Sequence, residues 1–389
     1  MNNRELQEII TETIKSSSDE RITFAQYMAL ALYHPQHGYY SSGAVKIGNR
    51  GDFFTSSSLG PDFGQLLAEQ FLEIGQILGE SLSLVEVGAG NGSLAGDILD
   101  YLATNATEFY KHLHYIIIEE SPVLREIQKV NLEIHRENGC NLSWESWEDI
   151  DNNSLRGCIF SNELIDAFPV HKIVLEKGEL KEIYVAIGEP FAEVIGNLST
   201  PELALYFQRV DIDINSGEYP DGYVSEINLE AVKWIERAAR KLDRGYMITI
   251  DYGYPARKYY HPQRYRGTLK CYYQHQHHDD PYTCIGNQDI TTHVDFTALE
   301  KSGEEAGLKN LGYTQQGMFL MALGLGERLL ELSGGGYDFQ TVIRRRDALH
   351  QLIDPSGLGG FGVLIGSKGL TPEQENRSLK GLRAGGTFL

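Results

Sequence analysis

The sequence is poor in cysteine and has none of the paired spacings that thiol-based sites require. Its four cysteines are far apart and form no CxxC pair: Cys140, Cys158, Cys271 and Cys284. We therefore expect neither a disulfide framework nor a zinc–thiolate site. No run of apolar residues approaches the roughly 18–20 residues that a membrane-spanning helix needs, so no membrane span is expected.

Basic residues are also scarce relative to acidic ones. Lysine and arginine together number 34 against 54 for aspartate and glutamate, which gives a formal net charge of −20. This balance argues against a nucleic-acid partner, because a general nucleic-acid binder needs a basic surface to neutralise phosphates. It is compatible with a small-molecule site, with a cationic protein partner, or with an acidic surface that only keeps the protein soluble.

The N-terminal residues lack the features of a targeting segment. The stretch MNNRELQEIITETIKSSSDERITF mixes acids and bases, and it has no apolar core ahead of a small-residue cleavage site. It also lacks the arginine-rich, acid-poor composition of a mitochondrial presequence. These absences predict a cytoplasmic protein.

The order of apolar patterns predicts the domain organisation. Residues 1–78 are expected to form an N-terminal helical region with a long Gly-rich loop. Over residues 79–389, β-branched runs alternate with helical patterns, which is typical of a parallel sheet covered on both faces. We expect two insertions, one at about 170–222 with a hairpin turn at Lys177-Gly178, and one at about 254–295 interpreted as a long loop. The expected strands are 82–88, 114–120, 157–163, 246–253 and 361–369.

A glycine-rich turn follows the first expected strand. The motif VEVGAGNGS places Gly88, Gly90 and Gly92 between a strand and a helix. Glycine permits a tight turn, and the missing Cβ lets a ligand approach the backbone. The spacing differs from the GxGxxG dinucleotide fingerprint, and Glu86 precedes the first glycine by two residues. We interpret the turn as a nucleotide-binding site, and the alternative is a purely structural glycine turn.

An acidic residue ends the second expected strand. Glu119 lies at the end of the run IIIEE, downstream of Gly92. A carboxylate at this position accepts hydrogen bonds from both ribose hydroxyls of a bound nucleoside. The alternative is that Glu119 or Glu120 is only a solvated acid at a strand end, and the glycine turn upstream favours the binding role.

The segment SNELIDAFPVH follows the third expected strand and contains Asn162, Glu163 and Asp166. Ligands of open α/β sheets bind beyond the carboxyl ends of the strands, so these side chains are expected to face that crevice. If the segment turns helically, Glu163 and Asp166 share a face and suit a guanidinium, which pairs bidentately with carboxylates. The alternative is that Asn162 caps a helix whose dipole the two acids favour.

A later segment, residues 267–296, is rich in histidine and acid. Imidazole and carboxylate are good metal ligands, so a metal has to be considered. No HExxH or comparable fixed-spacing motif occurs, and we therefore expect no metal there. Substrate-loop hydrogen bonding or surface polarity is the preferred interpretation of these residues: His275, His277, His278, His293, Asp279, Asp280, Asp289 and Asp295.

Together these segments indicate a family. From about residue 22 to about residue 325, the sequence closely resembles the MidA-like family, whose mitochondrial members are protein arginine methyltransferases that help to assemble respiratory complex I. The resemblance rests on FAQYMALALYHPQHGYY, GDFFTSS, FGQLLA, VEVGAGNGSLAGDIL, IIIEESPVLREIQ, SNELIDAFPVH, IDYG, GTLKCYYQH, GNQDITTHVDF and QQGMFL.

The resemblance implies a class I methyltransferase fold, which is α/β and Rossmann-like with a mostly parallel seven-stranded sheet. It implies S-adenosyl-L-methionine (SAM) as the methyl donor and an arginine of a protein substrate as the acceptor, giving symmetric ω-dimethylarginine. A respiratory-complex subunit is the substrate that it suggests. The motif glycines and Glu119 correspond to the SAM site, and Asn162, Glu163 and Asp166 to the catalytic, acceptor-side site.

Methyl transfer is then expected to be an in-line displacement that depends mainly on positioning. Glu163 and Asp166 would offset the repulsion between two cations and orient the reacting nitrogen. Two other functions remain open at this point. One is a small-molecule methyltransferase with a closed pocket, and the other is a non-catalytic assembly chaperone with a SAM-type fold.

Overall fold

The computed structural model of the chain describes residues 3–42, 55–79, 82–274, 276–383 and 385–387. His275 and residues 43–54 of the expected Gly-rich loop lie outside the described residues. The strands are β1 (Arg21–Thr23), β2 (Ser83–Val87), β3 (His114–Ile118), β4 (Asn141–Glu145), β5 (Leu155–Asn162), β6 (His171–Glu176), β7 (Glu179–Ile187), β8 (Phe191–Gly196), β9 (Tyr223–Ile227), β10 (Leu242–Asp251), β11 (Gly253–Tyr254), β12 (Lys270–Tyr273), β13 (Gln276–His278), β14 (Asp289–Thr291), β15 (Val294–Asp295), β16 (Lys309–Gln315) and β17 (Gly362–Lys368). The α-helices are α1 (Arg4–Ser16), α2 (Phe24–Tyr33), α3 (Asp62–Leu78), α4 (Ser93–Asn105), α5 (Thr107–His112), α6 (Pro122–Asn131), α7 (Glu133–Glu137), α8 (Glu202–Arg209), α9 (Leu229–Lys241), α10 (Ala256–Tyr259), α11 (Phe296–Glu305), α12 (Gln316–Leu323), α13 (Leu325–Ser333), α14 (Phe339–Ile353) and α15 (Pro372–Glu375).

The largest sheet of the described chain has seven strands in the order β16-β17-β10-β5-β2-β3-β4. The five strands from β10 to β4 are parallel, whereas β17 is antiparallel to both of its neighbours. Parallel strands are covered on both faces and therefore have continuous apolar runs. In β3, for example, Ile116, Ile117 and Ile118 are all buried. The predicted α/β fold with a mostly parallel seven-stranded sheet is confirmed.

Helices pack on both faces of this sheet. Successive side chains of a strand point to opposite faces, so Leu84 of β2 packs with α3, α4 and α12, and Val85 packs with α9 and α11. Burial of these apolar faces supplies most of the favourable free energy of folding. Among the described helices, none has the length and apolar composition that crossing a membrane requires.

Two outer strands of the main sheet, β4 and β16, have no counterpart among the expected strands. Both lie at a sheet edge and are half exposed, so neither has a buried apolar run. The interpretation of residues 254–295 as a long loop is wrong, because this segment contains α10 and the small sheet β13-β12-β14. Its strands have only three or four residues, which is too short to show an alternating pattern.

A second sheet is formed by β1 and by the strands β6 to β9 that follow β5 in the chain. It has the order β1-β7-β6-β9, with β8 also paired to β7. The predicted hairpin is confirmed: β6 and β7 are antiparallel, and Lys177 and Gly178 have φ of 52° and 80°, as a primed two-residue turn requires. The N-terminal β1 pairs with β7 of the insertion, whereas α3 packs on α4 beside the main sheet. The division of the chain at residue 78 stays a prediction.

Candidate functional site: two cavities at the carboxyl ends of the parallel strands

The glycine turn lies between β2 and α4, where the sequence predicts it. Gly88, Gly90 and Gly92 have φ of 73°, 56° and 81°, a left-handed region in which L side chains are strained. A Cβ built on Gly88 would lie 2.6 Å from Cδ1 of Leu164, so that side chain would have to shift, and the positive φ is the stronger requirement for glycine here. The turn leaves bare backbone facing the space beyond the strand ends.

Two buried carboxylates stand beside this turn. Glu119 is 8 % exposed, which excludes the solvated strand-end alternative for it, whereas Glu120 is exposed. Oε1 of Glu119 accepts from the backbone N–H of Ser121 at 2.9 Å, and Oε2 of Glu119 accepts from Gln128 at 3.0 Å. Glu86 accepts from the hydroxyl of Tyr115 at 2.5 Å.

These groups line a first cavity of about 420 Å³, within the ~300–1,000 Å³ range of small-molecule sites. The N-terminal segment and the turn after β5 form its other walls. Its lining includes Tyr33, Pro35, Tyr40, Ser41, Thr55, Ser57, Glu86, Gly88, Ala89, Gly90, Asn91, Leu94, Glu119, Ser121, Leu124, Asn162, Glu163 and Leu164. Gly92 does not line the cavity and contributes through the conformation of the turn.

The turn after β5 brings the predicted acids together with an acid that sequence reasoning missed. Oδ2 of Asp251, at the end of β10, accepts from the backbone N–H groups of Leu164, Ile165 and Asp166 at 3.2, 2.9 and 3.3 Å. Asp251 therefore fixes this turn, and the alternative in which Asn162 caps it is wrong. Glu163 has a φ of 49°, an uncommon conformation for a residue with a side chain.

The side chains of Asn162 and Glu163 face the first cavity. Oε1 of Glu163 accepts from the backbone N–H of Ser56 at 2.8 Å and from Nδ2 of Asn162 at 3.1 Å. Oδ1 of Asn162 is buried and has no partner within the described residues. A buried acceptor without a partner is costly, so this oxygen is available to a ligand's donor.

A second cavity of about 640 Å³ adjoins the first, because Tyr40 and Glu163 line both. Asp166 lines the second cavity but not the first. Aromatic and polar side chains form most of its remaining wall. They are Tyr252, Tyr254, Lys258, Tyr272, Gln276, His277, Asp289, Thr291, His293, Tyr313, Gln315, Ser356 and Phe361.

Two tyrosines of the N-terminal segment contribute to the cavity walls, with Tyr33 at the first cavity and Tyr40 at both. The rings of Tyr33 and Tyr40 stack with centroids 5.5 Å apart. The Tyr33 hydroxyl donates to the carbonyl of Ala167 at 2.9 Å, and the Tyr40 hydroxyl donates to Oδ1 of Asp289 at 2.9 Å. Nothing in the sequence pattern marks these tyrosines, because their partners are more than a hundred positions away.

Burial raises the pKa values of acidic residues at both cavities. Burial raises the pKa of Glu86 to about 7, against the hydrogen bond from Tyr115, and it also raises the pKa of Glu119. Burial raises the pKa of Glu163 and of Asp166 to about 7. The pKa of Asp251 is raised well above its ordinary value by burial and by Asp166. A cation in the second cavity would favour the ionised carboxylates.

The histidine-rich segment contributes to the second cavity through His277 and His293. Asp289 and Asp295 have structural partners, since Asp289 accepts from Tyr40 and Asp295 caps α11. Among the residues that the structure describes, no three side chains of His, Cys, Asp or Glu converge as a metal site. His275 is not one of the described residues, and the expectation that no metal is needed stays a prediction.

Comparison with known proteins identifies the family. Residues 66–314 match the model of Methyltransf_28, an S-adenosyl-L-methionine-dependent methyltransferase family. The chain belongs to this family. The resemblance to the MidA-like family predicted from the sequence is thereby confirmed.

Solved and curated relatives agree with Methyltransf_28 membership. A crystal structure of a COG1565 superfamily member from Burkholderia thailandensis, bound to S-adenosyl-homocysteine, is 32 % identical with a TM-score of 0.86, covering 99 % of this chain and 96 % of that one. The chain is 29 % identical to the human mitochondrial protein arginine methyltransferase NDUFAF7, over 89 % of this chain and 79 % of the relative. The homologue from Drosophila melanogaster is 28 % identical, over 87 % and 79 %. The class I methyltransferase fold and SAM as cofactor are confirmed.

The first cavity fits this cofactor. Backbone without Cβ atoms at the glycine turn leaves room for a ligand, and the strand-end Glu119 is placed to accept from hydroxyls. The unpartnered Oδ1 of Asn162 is a buried acceptor in the same wall. The assignment of Glu86, Gly88, Gly90, Gly92 and Glu119 to SAM remains a prediction about individual residues.

Proposed function

We propose that this SAM-dependent methyltransferase methylates arginine in a protein substrate, and that Asn162, Glu163 and Asp166 form the catalytic, acceptor-side site. The observation that supports this most is that Glu163 lines both cavities, with Asp166 beside it in the second. Two carboxylates at the junction of a donor cavity and an aromatic-walled acceptor cavity suit a planar cation with several donors. The relatives named as protein arginine methyltransferases support the same substrate class.

The donor supplies an electrophilic methyl group bound to a sulfonium. The acceptor guanidinium is a second cation, and bringing the two together is unfavourable without negative charge between them. Glu163 occupies the shared wall, so its carboxylate can pair with the guanidinium while its Oε1 stays fixed by Ser56 and Asn162. Asp166, in the turn fixed by Asp251, gives the guanidinium a second carboxylate on the acceptor side.

Positioning is the main contribution of the protein in this proposal. Asp251 fixes the turn after β5 through three backbone N–H groups, and the unusual φ of Glu163 sets the direction of its side chain. Preorganised charges in a water-poor site stabilise developing charge without reorganising. The proton that leaves the methylated nitrogen is accepted by Glu163 or Asp166, whose pKa values of about 7 let them gain and lose it near neutrality.

The test is product analysis with purified protein. The protein is incubated with methyl-labelled SAM and arginine-containing peptides. The hydrolysed products are separated by chromatography and identified by fragmentation in a mass spectrometer, which distinguishes the two dimethylarginine isomers. We expect monomethylarginine followed by symmetric ω-dimethylarginine, the product that the family resemblance implies, and a respiratory-complex subunit is the first protein to test. Labelled metabolites without labelled arginine would identify a small-molecule methyltransferase instead. Bound SAM with no methyl transfer to either would favour a non-catalytic assembly role.

A further inference from the structure

Two cations contact the ring of Tyr254 in the wall of the second cavity, and of these two Lys258 lines the cavity itself. Nζ of Lys258 lies 3.9 Å from the centroid of the Tyr254 ring, and Cζ of Arg264 lies 4.7 Å from it. Neither cation is paired with a carboxylate of the described residues, and the buried Nε of Arg264 has no partner there. Lys270, by contrast, is paired with Asp279 at 2.6 Å. Two unpaired cations on one ring are notable in a chain with a net charge of −20.

A buried histidine adjoins these cations. The His293 ring lies 5.0 Å from the Tyr254 ring and 5.1 Å from the Tyr252 ring, centroid to centroid. Burial, together with Arg264, Lys270 and Lys258, lowers the pKa of His293 to about 4, so the ring is neutral near pH 7. Its Nδ1 is buried and has no partner in the described structure. In the tautomer protonated at Nδ1, this atom is a donor available to a ligand oxygen.

The same cavity also has acidic residues in its wall. Glu163, Asp166 and Asp289 line it. Asp251, which fixes the acidic turn, and Tyr254, which contacts both cations, are three residues apart in the chain. Their α-carbons therefore lie at most about 11 Å apart. Glu163, Asp166, Lys258 and His293 line the same cavity, so one ligand that carries both charges can contact acidic and basic groups there.

The geometry points to a carboxylate subsite formed by Lys258 and Nδ1 of His293 beside Tyr254, with Arg264 at the same ring adding positive charge. This subsite holds an acidic group of the acceptor while its guanidinium lies at Glu163 and Asp166. This subsite rests on the proposed arginine substrate, and it predicts that the enzyme selects arginines with a carboxylate nearby. An anionic ligand is attracted by the two cations at the Tyr254 ring. It also accepts a hydrogen bond from Nδ1 of His293, which has no partner among the described residues.

The carboxylate can come from two sources with the same chemistry. An aspartate or glutamate near the arginine in the substrate chain supplies one, and the α-carboxylate of a C-terminal arginine supplies the other. A matched set of four peptides distinguishes them. The first pair has arginine followed by glutamate or by glutamine, and the second pair ends in arginine as the free acid or as the amide.

The experiment measures binding by titration calorimetry to the full-length protein loaded with S-adenosyl-homocysteine, so it does not depend on turnover. We expect the acidic member of one pair to bind about threefold to fivefold more tightly than its neutral partner, as for a partly exposed charge pair. Lys258→Met should abolish that preference. Lys258→Glu should reverse it in favour of a peptide in which lysine replaces the glutamate.

Lys233→Met is the matched control, because it removes the same charge from a surface lysine of α9 that lines neither cavity. An equal loss of preference in this variant would show a long-range charge effect and overturn the subsite. Arginine peptides that bind and are methylated without any acidic preference would overturn the subsite and leave the proposed function standing. Failure of all four peptides to bind would overturn both.

Discussion

Gln128 donates through its Nε2 to Oε2 of Glu119 at 3.0 Å, and the same nitrogen lies 2.8 Å from the carbonyl oxygen of Gly90. Its Oε1 accepts from the indole N–H of Trp144 at 2.9 Å, and the side chain is fully buried. One amide therefore sets the position of the strand-end acid relative to the glycine turn. Sequence reasoning assigned roles to Glu119 and Gly90 but not to the residue that joins them.

Replacing Gln128 with leucine should weaken SAM binding. The change removes the donor shared by Glu119 and Gly90 and leaves two buried acceptors unsatisfied, at a cost of about 1–3 kcal/mol. If half of that loss falls on the cofactor site, the dissociation constant for SAM rises about twofold to tenfold, which calorimetry measures. Gln70→Leu is the control, since Gln70 is also fully buried and bonded to Glu73 and Gly381, away from both cavities. Equal SAM affinity in the two variants would contradict the role of Gln128.

Gly90→Val should abolish SAM binding while the protein still folds. Gly90 has a φ of 56° and lines the first cavity, so a branched side chain would both strain the backbone and enter the ligand's space. Gly139→Val is matched to it, because Gly139 has a φ of 81° and a Cβ there would have nothing within 4 Å. Both variants should melt at lower temperature, and only Gly90→Val should lose SAM. Normal SAM affinity in a folded Gly90→Val protein would refute the assignment.

Asp166→Asn should impair acceptor use without changing SAM affinity. Asp166 lines the second cavity and not the first, and loss of one partner from a buried charge pair costs about 2–5 kcal/mol. We expect kcat/KM for an arginine peptide to fall at least about thirtyfold. Glu163→Gln should have a similar effect on the acceptor, but it also tests the first cavity, because Glu163 lines both.

The control for these variants is Asp295→Asn. Asp295 is buried with a pKa raised by burial to about 7, yet it lines neither cavity and caps α11. It should lower the melting temperature and leave activity per folded molecule near that of the wild type. If Asp166→Asn behaves in the same way, Asp166 is a structural residue only.

Folding and acceptor binding should respond to pH in opposite directions. Because burial raises the pKa of Glu163 and Asp166 to about 7, the folded state binds more protons than the unfolded chain between pH ~4 and ~7. The stability of the free protein therefore falls as pH rises through this window. Pairing with a guanidinium needs the ionised carboxylates, so acceptor affinity should rise from pH ~6 to ~8.

Melting temperatures of the free protein and KM values for an arginine peptide measure these two trends on the same samples. Asp166→Asn should reduce the slope of both, since it removes one of the carboxyl groups whose pKa burial raises. A KM that rises with pH over this range would contradict pairing of the acceptor with these carboxylates.

Turnover should survive removal of divalent metals. Methyl transfer from a sulfonium to nitrogen needs no Lewis acid, and the described histidines and acids of residues 267–296 have other partners or face the second cavity. Activity after dialysis against a chelator and elemental analysis of the protein test this. A stoichiometric transition metal whose removal abolishes turnover would make the His277–His293 segment a ligand set.

The sequence predicts where the glycine turn, Glu119 and Asn162 lie at the strand ends because these signals are local. The glycine turn directly follows β2, Glu119 directly follows β3, and Asn162 and Glu163 lie at the end of β5. Each signal consists of a buried apolar run and the polar residues next to it. The hairpin is also local, since Lys177 and Gly178 are sufficient to indicate it.

The second cavity could not be predicted in the same way. The bonds that shape it join distant positions, as in Tyr40 to Asp289 and Asp251 to the turn at Leu164–Asp166. Its small sheet has strands too short for periodicity, and its cations form contacts with aromatic rings that no spacing rule describes. Such contacts depend on tertiary packing, and a single sequence shows none of it.

The walls of the two cavities are contributed by different stretches of the chain. Every described residue that lines the first precedes residue 170, and all that line the second, except Tyr40, Glu163 and Asp166, follow residue 250. If the second cavity holds the acceptor, changes in the later half of a gene alter most of the acceptor's surroundings while the donor's cavity stays unchanged. Recombination between relatives anywhere from residue 170 to residue 250 would then exchange this later wall as one inherited block, and the carboxylates of Glu163 and Asp166 would stay with the earlier half.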